Sequence, residues 1–309
     1  MRKALVTGGA GFIGSHLVDA LIKAGRQVEV VDNLITGLRE NVNPAAVFHE
    51  LDIRDNRIND VFERGKFDIV FHLAAQMDIR KSVADPGFDA EANILGGIKL
   101  LQACRKHQVK KIVFSSTCAS YGEQVSFPAP ESHPQDPVSP YGISKLAFEK
   151  YLYFYHNEFG IDYVILRYAN IYGPRQRADG EGGVVAIFLD RLLSAQDAYI
   201  FGEGKQTRDF TYVADVVNAN LLAADYSGCG IFNVSTALET DVNELFDLIR
   251  EITGSSQQRI YRPAREGETL RSVLDNALIK KTFGWKPRTD IQTGLRQTAE
   301  FFKSKIPTA

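Results

Sequence analysis

The chain has 309 residues, and 36 Lys and Arg residues against 38 Asp and Glu residues give a formal net charge of −2. At about 100–200 residues per domain, this length predicts one large domain or two fused lobes. The hydrophobic fraction of 44% excludes extensive disorder, and the near-neutral charge excludes a bulk attraction to nucleic acid or to anionic membranes.

The cysteine and hydropathy patterns argue against disulfides, metal sites and membrane spans. The three cysteines share no CxxC or Cys/His ligand spacing, so the sequence predicts no disulfide framework and no metal site. No apolar run approaches the about 20 residues that a membrane span needs, and the opening MRKALVTGG has no apolar signal core. We therefore expect a cytoplasmic protein.

The first two-thirds of the chain alternates short β-branched runs with segments of helical apolar spacing, such as Ile13–Lys23 and Ile94–His107. This alternation predicts an α/β fold with a parallel sheet covered on both faces, and the right-handed crossover rule favours a doubly wound sheet. The predicted strands are Lys3–Thr7, Val28–Asp32, Val47–Glu50, Ile69–Leu73, Lys111–Ser115 and Tyr163–Arg167.

After about residue 170 the chain becomes richer in loops, which predicts a second, smaller lobe. A short strand is predicted at Tyr199–Phe201, with helices at Val242–Thr253 and Ala277–Phe283. Ile231–Val234 has the composition of a strand that returns to the main sheet. The expected domains are residues 1–170, with 212–235 returning to them, and a lobe of residues 171–211 and 236–309.

A glycine-rich turn joins the first strand to the first helix. Residues 7–16 read TGGAGFIGSH, where Gly8, Gly11 and Gly14 allow a tight turn, a close approach to a pyrophosphate and packing of helix on strand. The free N–H groups at the start of the helix favour phosphate binding. Asp32, at the end of the next strand, suits ribose hydroxyls and repels a 2′-phosphate. The sequence therefore predicts a dinucleotide site that prefers NAD to NADP.

Two further strand ends are candidate cofactor contacts. Asp52 and Ile53 follow the third strand and suit the adenine, although a capped turn would show the same pattern. Leu73, Ala74 and Ala75 end the fourth strand with small residues, which suit a close approach of a cofactor, although a plain tight turn would look similar. Both alternatives stay open from the sequence alone.

A tyrosine and a lysine form a candidate reactive pair. Tyr141 precedes Lys145 by four residues, and Ser139-Pro140 before them suit a helix N-cap and first turn, so both side chains should share one helix face. An ammonium beside a phenol lowers the phenol pKa from about 10, so Tyr141 would act as a base near neutral pH. A hydroxyl from Thr117 or Ser116, at the end of the fifth strand, can bond the reacting oxygen. Core packing of this Ser/Thr run is the alternative.

Recognisable motifs are spread over nearly the whole chain. They read TGGAGFIGSH, VDNL, FHLAAQ, SSTCASYG, SPYGISK, LRYANIYGPRQ, FGEGKQTRDFTYVADV and REGE. Together they resemble the extended short-chain dehydrogenase/reductase superfamily and, within it, the UDP-glucose 4-epimerase family. The resemblance implies a Rossmann NAD-binding domain with a smaller α/β lobe that binds a UDP-sugar.

The resemblance also implies roles for individual residues. Tyr141 would be the catalytic base and acid, Lys145 its pKa-lowering partner, and Thr117 the hydroxyl that holds the sugar. The expected cofactor-binding positions are Gly8, Gly11, Phe12, Ile13, Gly14, Asp32, Asn33, Leu34, Ile35, Thr36, Gly37, Asp52, Ile53, Leu73, Ala74, Ala75, Gln76, Met77, Asn93, Ser115, Tyr141, Lys145, Tyr168 and Ala169. The expected substrate-binding positions are Thr117, Tyr141, Asn170, Val184, Val185, Tyr199, Ile200, Phe201, Arg208, Arg265, Glu268 and Ser272.

Four of these positions bear on the substrate. Arg208 and Arg265 match residues that grip the pyrophosphate, and paired arginines suit bidentate phosphate recognition, with surface ion pairs as the alternative. Glu268 stands where the family often carries an Asp on the uridine ribose. Ser272 matches a position that gates the sugar pocket, and its small side chain predicts that UDP-GlcNAc and UDP-GalNAc are accepted alongside UDP-glucose and UDP-galactose.

The implied reaction is C4 epimerisation through a transient 4-keto sugar, with NAD retained through the cycle. A 4,6-dehydratase carries Asp-Glu after the active-site Thr, and related decarboxylases keep a Glu there. This chain has Cys118 and Ala119, which perform neither proton transfer. Glu123 would overturn this reading if it reached the sugar. A UDP-glucuronate 4-epimerase and a non-catalytic NAD-binding sensor remain as alternatives.

An aromatic run points to a partner copy. Residues Tyr151–Tyr155 form an aromatic run that is too wide to bury on one helix face alone. In the resembled family the helices matching Ile94–His107 and Tyr141–Phe159 pair into a four-helix bundle, so the resemblance implies a homodimer. Packing of the run against the sheet is the alternative.

Overall fold

The computed structural model describes residues 3–179, 183–264 and 269–306. The chain divides into one unit of residues 1–122, 134–168 and 217–232 and a second unit of residues 123–133, 169–216 and 233–309. The strands are β1 (Lys3–Thr7), β2 (Gln27–Asp32), β3 (Val47–Glu50), β4 (Ile69–His72), β5 (Lys111–Thr117), β6 (Asp162–Tyr168), β7 (Asn170–Tyr172), β8 (Tyr199–Phe201), β9 (Thr207–Arg208), β10 (Phe210–Tyr212), β11 (Gly230–Val234), β12 (Thr240–Asp241), β13 (Ile260–Arg262) and β14 (Arg271–Ser272). The helices are α1 (Phe12–Lys23), α2 (Ile58–Gly65), α3 (Ile79–Ala84), α4 (Pro86–Ala90), α5 (Gly96–Lys106), α6 (Pro140–Phe159), α7 (Val184–Leu193), α8 (Val213–Asp225), α9 (Val242–Thr253), α10 (Ala277–Phe283) and α11 (Ile291–Lys305).

The first unit is built on a seven-stranded sheet. Its strand order is β11-β6-β5-β4-β1-β2-β3. The pairings described among β1 to β6 are parallel, with Ala4 of β1 aligned to Val28 of β2 and to Ile69 of β4. The strand order reverses at β1 and β4, which is where doubly wound sheets bind ligands at the carboxyl ends of their strands. The predicted doubly wound α/β fold is confirmed, and the predicted return of Ile231–Val234 to the sheet is its edge strand β11.

The sequence sets both ends of α6, the helix that carries the predicted tyrosine and lysine. Ser139 caps its start, because the Ser139 hydroxyl accepts the N–H of Gly142 at 3.2 Å, and Pro140 is its first residue. Gly160, with φ of +68°, ends the helix in the left-handed conformation that glycine tolerates. The helix therefore begins where the sequence predicts, and Tyr141 is its second residue.

A buried histidine packs α6 against the sheet. Nδ1 of His72 lies 2.8 Å from Oγ1 of Thr7, and the His72 ring stacks on Phe114 and meets the edge of Phe148, with centroids 5.6 and 5.1 Å apart. Burial, with the nearby Lys145 charge, lowers the pKa of His72 to about 3. The ring is therefore neutral and serves as a packing element between β4, β5 and α6.

The second unit combines short sheets with helices. Its strand orders, within the described ranges, are β12-β9-β14, β10-β7 and β13-β8. Helices α7 and α9 pack through Phe188 and Phe246, whose ring centroids lie 5.5 Å apart. Trp285 is buried and donates its indole N–H to the carbonyl of Asp215 at 3.0 Å, which fastens the segment after α10 to the start of α8.

Two expected boundaries differ in the structure. Residues 123–133, expected in the first domain, belong to the second unit. They do so because the N–H of Ala129 donates to the carbonyl of Val273 at 2.9 Å, while the carbonyl of Ala129 accepts the N–H of Asp275 at 2.8 Å. Glu91–Leu95 forms a π-helical turn, so α5 begins at Gly96 rather than at Ile94. Both differences depend on contacts or backbone geometry without a local sequence signal.

The described part of the chain contains no helix that is at once long enough and apolar enough to cross a membrane.

Candidate active site

The predicted glycines shape the turn between β1 and α1. Gly8 has φ of +74°, and a Cβ there would lie 2.7 Å from the backbone nitrogen of Ala74. A Cβ at Gly14 would lie 2.1 Å from the carbonyl oxygen of Gly8. The first amides of α1, at Phe12 and Ile13, lack intrahelical acceptors, as at any helix start. These free N–H groups, next to glycines without side chains, fit the pyrophosphate of a dinucleotide.

Asp32 ties the glycine-rich turn to the loop after β2. Its carboxylate accepts the N–H of Ala10 at 3.0 Å and the N–H of Leu34 at 2.9 Å, and a Cβ at Gly37 would lie 2.7 Å from its Oδ1. Asp32 is 7% exposed, and burial raises its pKa. A carboxylate offers about four lone-pair sites, so two stay available for ribose hydroxyls. The position fits an adenosine ribose.

Asp52 is engaged by its own turn. Its carboxylate accepts the backbone N–H and the Nε of Arg54 at 2.8 and 2.9 Å, and the side chain of Asn33 at 2.8 Å. These bonds outweigh burial and lower the pKa of Asp52 to about 2. Ile53 is buried and packs against Gly96, where a Cβ would lie 3.0 Å from its side chain. The capped-turn alternative thus describes Asp52 well, and its expected contact with adenine stays a prediction.

Asn93 holds the loop after β4. Gln76 donates its N–H to Oδ1 of Asn93 at 2.8 Å, and the Asn93 amide donates back to the Gln76 carbonyl at 2.9 Å. The same amide lies 3.1 Å from the hydroxyl of Ser144, which stands between Tyr141 and Lys145 on α6. Asn93 therefore links the predicted cofactor loop of residues 73–77 to the helix that carries the reactive pair.

Two more expected cofactor positions are joined to each other. The hydroxyl of Ser115 hydrogen-bonds the phenol of Tyr168, which also accepts the side-chain amide of Asn220 at 2.7 Å. Burial raises the pKa of Tyr168 to about 12. Ala169, the next residue, belongs to the second unit. Ser115 and Tyr168 thus form a neutral, buried bond at the end of β5 and β6.

Thr117, Tyr141 and Lys145 come together at the carboxyl end of β5. The Thr117 hydroxyl hydrogen-bonds the Tyr141 phenol, and Oγ1 of Thr117 also accepts the N–H of Ala119 at 3.1 Å. Lys145 lies one helical turn beyond Tyr141 and is 3% exposed, with its Nζ 4.4 Å from the centroid of the Phe114 ring. The predicted reactive residues therefore share one site.

The electrostatics of this pair differ from the expectation. Burial raises the pKa of Tyr141 above its ordinary value of 10, and the Thr117 hydrogen bond opposes the rise. Burial lowers the pKa of Lys145 to about 7, against the attraction of Glu149 and Asp89. Desolvation is the largest influence on the phenol in the protein alone, and the lowering of its pKa by Lys145 stays a prediction. Near neutral pH the phenol is protonated and the amine is poised between its two forms.

A buried ion pair lies one helical turn beyond Lys145 on α6. The Arg167 guanidinium donates to both carboxylate oxygens of Glu149, at 3.0 and 2.5 Å, and the Ser116 hydroxyl donates to the same carboxylate at 2.5 Å. Arg167 also lies 4.7 Å from the centroid of the Tyr121 ring. Sequence reasoning missed this network, although Glu149 follows Lys145 by one more helical turn. The spacing Tyr141–Lys145–Glu149 is the signal that would have found it.

The expected substrate-binding residues of the second unit fall into small groups. Arg208 and Ser272 are aligned neighbours in the parallel pair β9–β14. Tyr199, Ile200 and Phe201 form β8, Val184 and Val185 open α7, and Asn170 opens β7. Arg265 and Glu268 lie outside the described residues.

Two arginines of this unit form ion pairs with acidic residues of the same unit. Arg271 forms a bidentate pair with Glu239, at 2.6 and 2.8 Å, and Arg259 pairs with Asp247. Surface ion pairing, the alternative left open by the sequence, therefore describes these two. Arg208 donates from its Nη1 to the carbonyl of Thr207 at 2.8 Å, and its expected role in pyrophosphate binding stays a prediction.

The model of the NAD dependent epimerase/dehydratase family matches residues 4–235. The chain belongs to this family. A UDP-glucose 4-epimerase of Thermotoga maritima, solved with UDP-glucose, is 47% identical with a TM-score of 0.97 and covers 99% of this chain and 100% of its own. A Thermus thermophilus UDP-glucose 4-epimerase in complex with NAD is 42% identical with a TM-score of 0.94, over 98% and 100% of the two chains. A Methanobrevibacter ruminantium UDP-N-acetylglucosamine 4-epimerase, in complex with UDP-N-acetylmuramic acid, is 36% identical with a TM-score of 0.94, over 99% of each chain.

These similarities confirm the resemblance drawn from the motifs, and with it the expectation of an NAD-using enzyme. The glycine-rich turn and Asp32 are the part of this chain that fits the cofactor.

Proposed function

We propose that this chain interconverts UDP-glucose and UDP-galactose by inverting C4 through a transient 4-keto sugar. The observation that carries the proposal is the hydrogen bond between Thr117 and Tyr141, with Lys145 one turn further along α6. These groups belong to the same unit as the glycine-rich turn and Asp32. The two similar structures named UDP-glucose 4-epimerases support the choice of sugar.

The chain's own residues supply proton transfer and orientation. NAD, when bound, supplies a hydride acceptor that can return the same hydride. Once its own proton has left to solvent, Tyr141 as the phenolate takes the proton of the C4 hydroxyl while the C4–H bond breaks, and returns that proton to the oxygen when hydrogen is restored on the opposite face. The Thr117 hydroxyl opposes the burial-induced rise of the phenol pKa. With a pKa of about 7, the amine of Lys145 is partly protonated near neutral pH. Its positive charge favours the ionised form of the phenol.

Epimerisation is favoured over elimination of water. Thr117 caps a short helical turn that begins with Cys118 and Ala119, where a dehydratase needs acids. Neither position carries the carboxyl acid that a dehydratase uses there. Glu123, the acid that would reopen this alternative, is exposed to solvent.

The range of sugars is proposed from Ser272. Its side chain is small and 8% exposed, and it is aligned with Arg208 in neighbouring strands. A serine leaves volume that a large aromatic residue would fill. We propose that UDP-GlcNAc and UDP-GalNAc are also substrates, and the similarity to a UDP-N-acetylglucosamine 4-epimerase supports this.

A homodimer is proposed from the outer face of α6. Ile143, Tyr151 and Phe154 fall on one side of the helix and are 52%, 38% and 51% exposed, which is a large apolar area for a surface helix. A second copy packing the same helices would cover this face. Sedimentation equilibrium of the wild type and of Phe154→Glu tests it: a wild-type dimer and a monomeric variant are expected, and a monomeric wild type contradicts it.

A cytoplasmic location is proposed from cysteine chemistry. Within the described residues Cys104, Cys118 and Cys229 form no disulfide, which suits a reducing compartment. Fractionation of the source cells, with the protein detected by antibody, tests this location.

The activity is tested by incubating the purified protein with UDP-galactose and no added reductant. We expect UDP-glucose to accumulate to equilibrium by chromatography, and Tyr141→Phe to lose activity by roughly 10²–10⁴-fold while still binding NAD. A product of lower mass would instead indicate elimination. Stoichiometric release of NADH would indicate a simple dehydrogenase.

A further inference from the structure

A histidine, an aspartate and a cysteine lie together at one end of the β-strands of the first unit. Thr117 lies at the other end. His156 lies in the last turn of α6, Asp162 is the first residue of β6, and Cys229 lies in the loop that leads into β11. Because β5 and β6 are parallel, the amino end of β6 lies away from the carboxyl end of β5, where the reactive residues stand. The cluster is therefore separate from the proposed active site.

The three ligand atoms are spaced as a metal ion requires. Sγ of Cys229 lies 3.3 Å from Nδ1 of His156 and 3.6 Å from Oδ1 of Asp162, and the last two atoms lie 3.5 Å apart. Tetrahedral Zn²⁺, with bonds of about 2.3 Å to sulfur and about 2.0–2.1 Å to nitrogen and oxygen, holds such atoms roughly 3.3–3.6 Å apart. The observed triangle already has these edges.

The surroundings of the cysteine suit a metal-bound thiolate. The N–H of Tyr163 points at Sγ of Cys229 from 3.3 Å, and hydrogen bonds of this kind stabilise ligating sulfur. The side chains of His156 and Asp162 are 36% and 47% exposed, so an ion can enter from solvent and keep a water as its fourth ligand.

The geometry does not suit a nucleophilic cysteine. In a catalytic triad the histidine contacts the nucleophile through one ring nitrogen and the acid through the other. Here the carboxylate lies 3.5 Å from Nδ1 of His156, and the sulfur lies 3.3 Å from Nδ1 and 3.8 Å from Nε2. Both groups therefore lie nearest the same ring nitrogen, which is not the linear order of a proton relay, and a turn of the partly exposed His156 ring would aim Nδ1 at an ion between the three atoms.

We propose that His156, Asp162 and Cys229 form a Zn²⁺ site with one open coordination position. A thiolate and an imidazole select Zn²⁺ over Mg²⁺ and Ca²⁺, which prefer oxygen ligands. The ion joins the end of α6 to the start of β6 and to the loop before β11. It therefore stabilises the first unit away from the reacting sugar, and epimerase activity does not require it.

The direct test is the absorption spectrum of the chelator-treated wild-type protein during titration with Co²⁺, a spectroscopic substitute for Zn²⁺. We expect one equivalent to produce thiolate-to-cobalt charge transfer together with the intense visible bands of tetrahedral Co²⁺, and one equivalent of Zn²⁺ to abolish them. A spectrum of six-coordinate aqueous Co²⁺, or one without charge transfer, overturns the proposal. This measurement does not depend on any variant folding correctly.

The second test is calorimetric titration of Zn²⁺ into the wild type, Cys229→Ser, His156→Gln and the matched control His107→Gln. The control removes an imidazole whose Nε2 bonds Asn59, away from the cluster. We expect one Zn²⁺ per wild-type and control chain, an increase in Tm on binding, and at least about tenfold weaker binding in the two ligand variants. Equal affinity in all four proteins overturns the site, while leaving the proposed epimerase activity untouched.

Discussion

Arg167 and Glu149 form a bidentate ion pair that is fully enclosed by protein, with side chains 0% and 1% exposed. The pair joins β6 to α6 one helical turn beyond Lys145, and its carboxylate also accepts the Ser116 hydroxyl. A buried pair of this kind contributes little net stability when intact, but leaves a costly uncompensated charge when one partner is removed. The same carboxylate attracts the charge of Lys145 and so opposes the lowering of its pKa by burial.

The first prediction concerns this pair. Arg167→Met leaves the Glu149 carboxylate buried without its guanidinium, and we expect the free energy of unfolding to fall by about 3–5 kcal/mol. The double variant Glu149→Leu/Arg167→Met removes both charges and should recover most of that loss. Urea denaturation of the wild type, both single variants and the double variant measures the coupling. Additive losses would show that the two residues act independently.

The second prediction concerns the pH dependence that Lys145 imposes on stability. Its pKa is about 7 in the folded protein, against 10.5 as the ordinary value, so the unfolded chain binds more protons between these limits. Lys145 therefore makes the free energy of unfolding increase as pH rises from 7 towards 10.5. Lys145→Met lacks this contribution.

We expect the stability advantage of Lys145→Met over the wild type to be largest at pH 6 and to shrink by pH 9. Denaturant unfolding at the two pH values measures it, with Lys150→Met on the exposed face of the same helix as the control. A difference between Lys145→Met and the wild type that does not change with pH would contradict a depressed lysine pKa.

The third prediction compares two glycines of similar conformation. Gly8 and Gly160 have φ of +74° and +68°, but a Cβ at Gly8 meets the backbone of Ala74 at 2.7 Å, whereas nothing lies within 4 Å of a Cβ at Gly160. Gly160→Ala should cost about 1–2 kcal/mol of stability and leave NAD binding unchanged. Gly8→Ala should also displace the turn and abolish NAD binding in fluorescence titrations. Unchanged NAD affinity in Gly8→Ala would place the cofactor elsewhere.

The fourth prediction concerns sugar selectivity. Ser272→Tyr fills the space beside Arg208, and we expect kcat/KM for UDP-GlcNAc to fall at least about tenfold more than kcat/KM for UDP-galactose. Ser272→Ala keeps the small volume and should retain the wild-type ratio. Equal losses for both sugars in the tyrosine variant would refute a gating role for this position.

The sequence by itself determined the parts of the protein that depend on neighbours in the chain. The glycine-rich turn, the Ser139-Pro140 start of α6 and the spacing of Tyr141 and Lys145 are local patterns, and the structure keeps all three. The alternation of apolar strands and amphipathic helices was likewise enough to predict the doubly wound sheet, because each element carries its own periodicity.

Tertiary structure decided what depends on residues far apart in the chain. Residues 123–133 joined the second unit through backbone bonds to Val273 and Asp275, about 150 positions away, and no local pattern marks such a pairing. The His156, Asp162 and Cys229 cluster is likewise invisible to ligand spacing along the sequence. The pKa values of Tyr141 and Lys145 were set by burial, which exists only once the chain has folded and removed water from both groups.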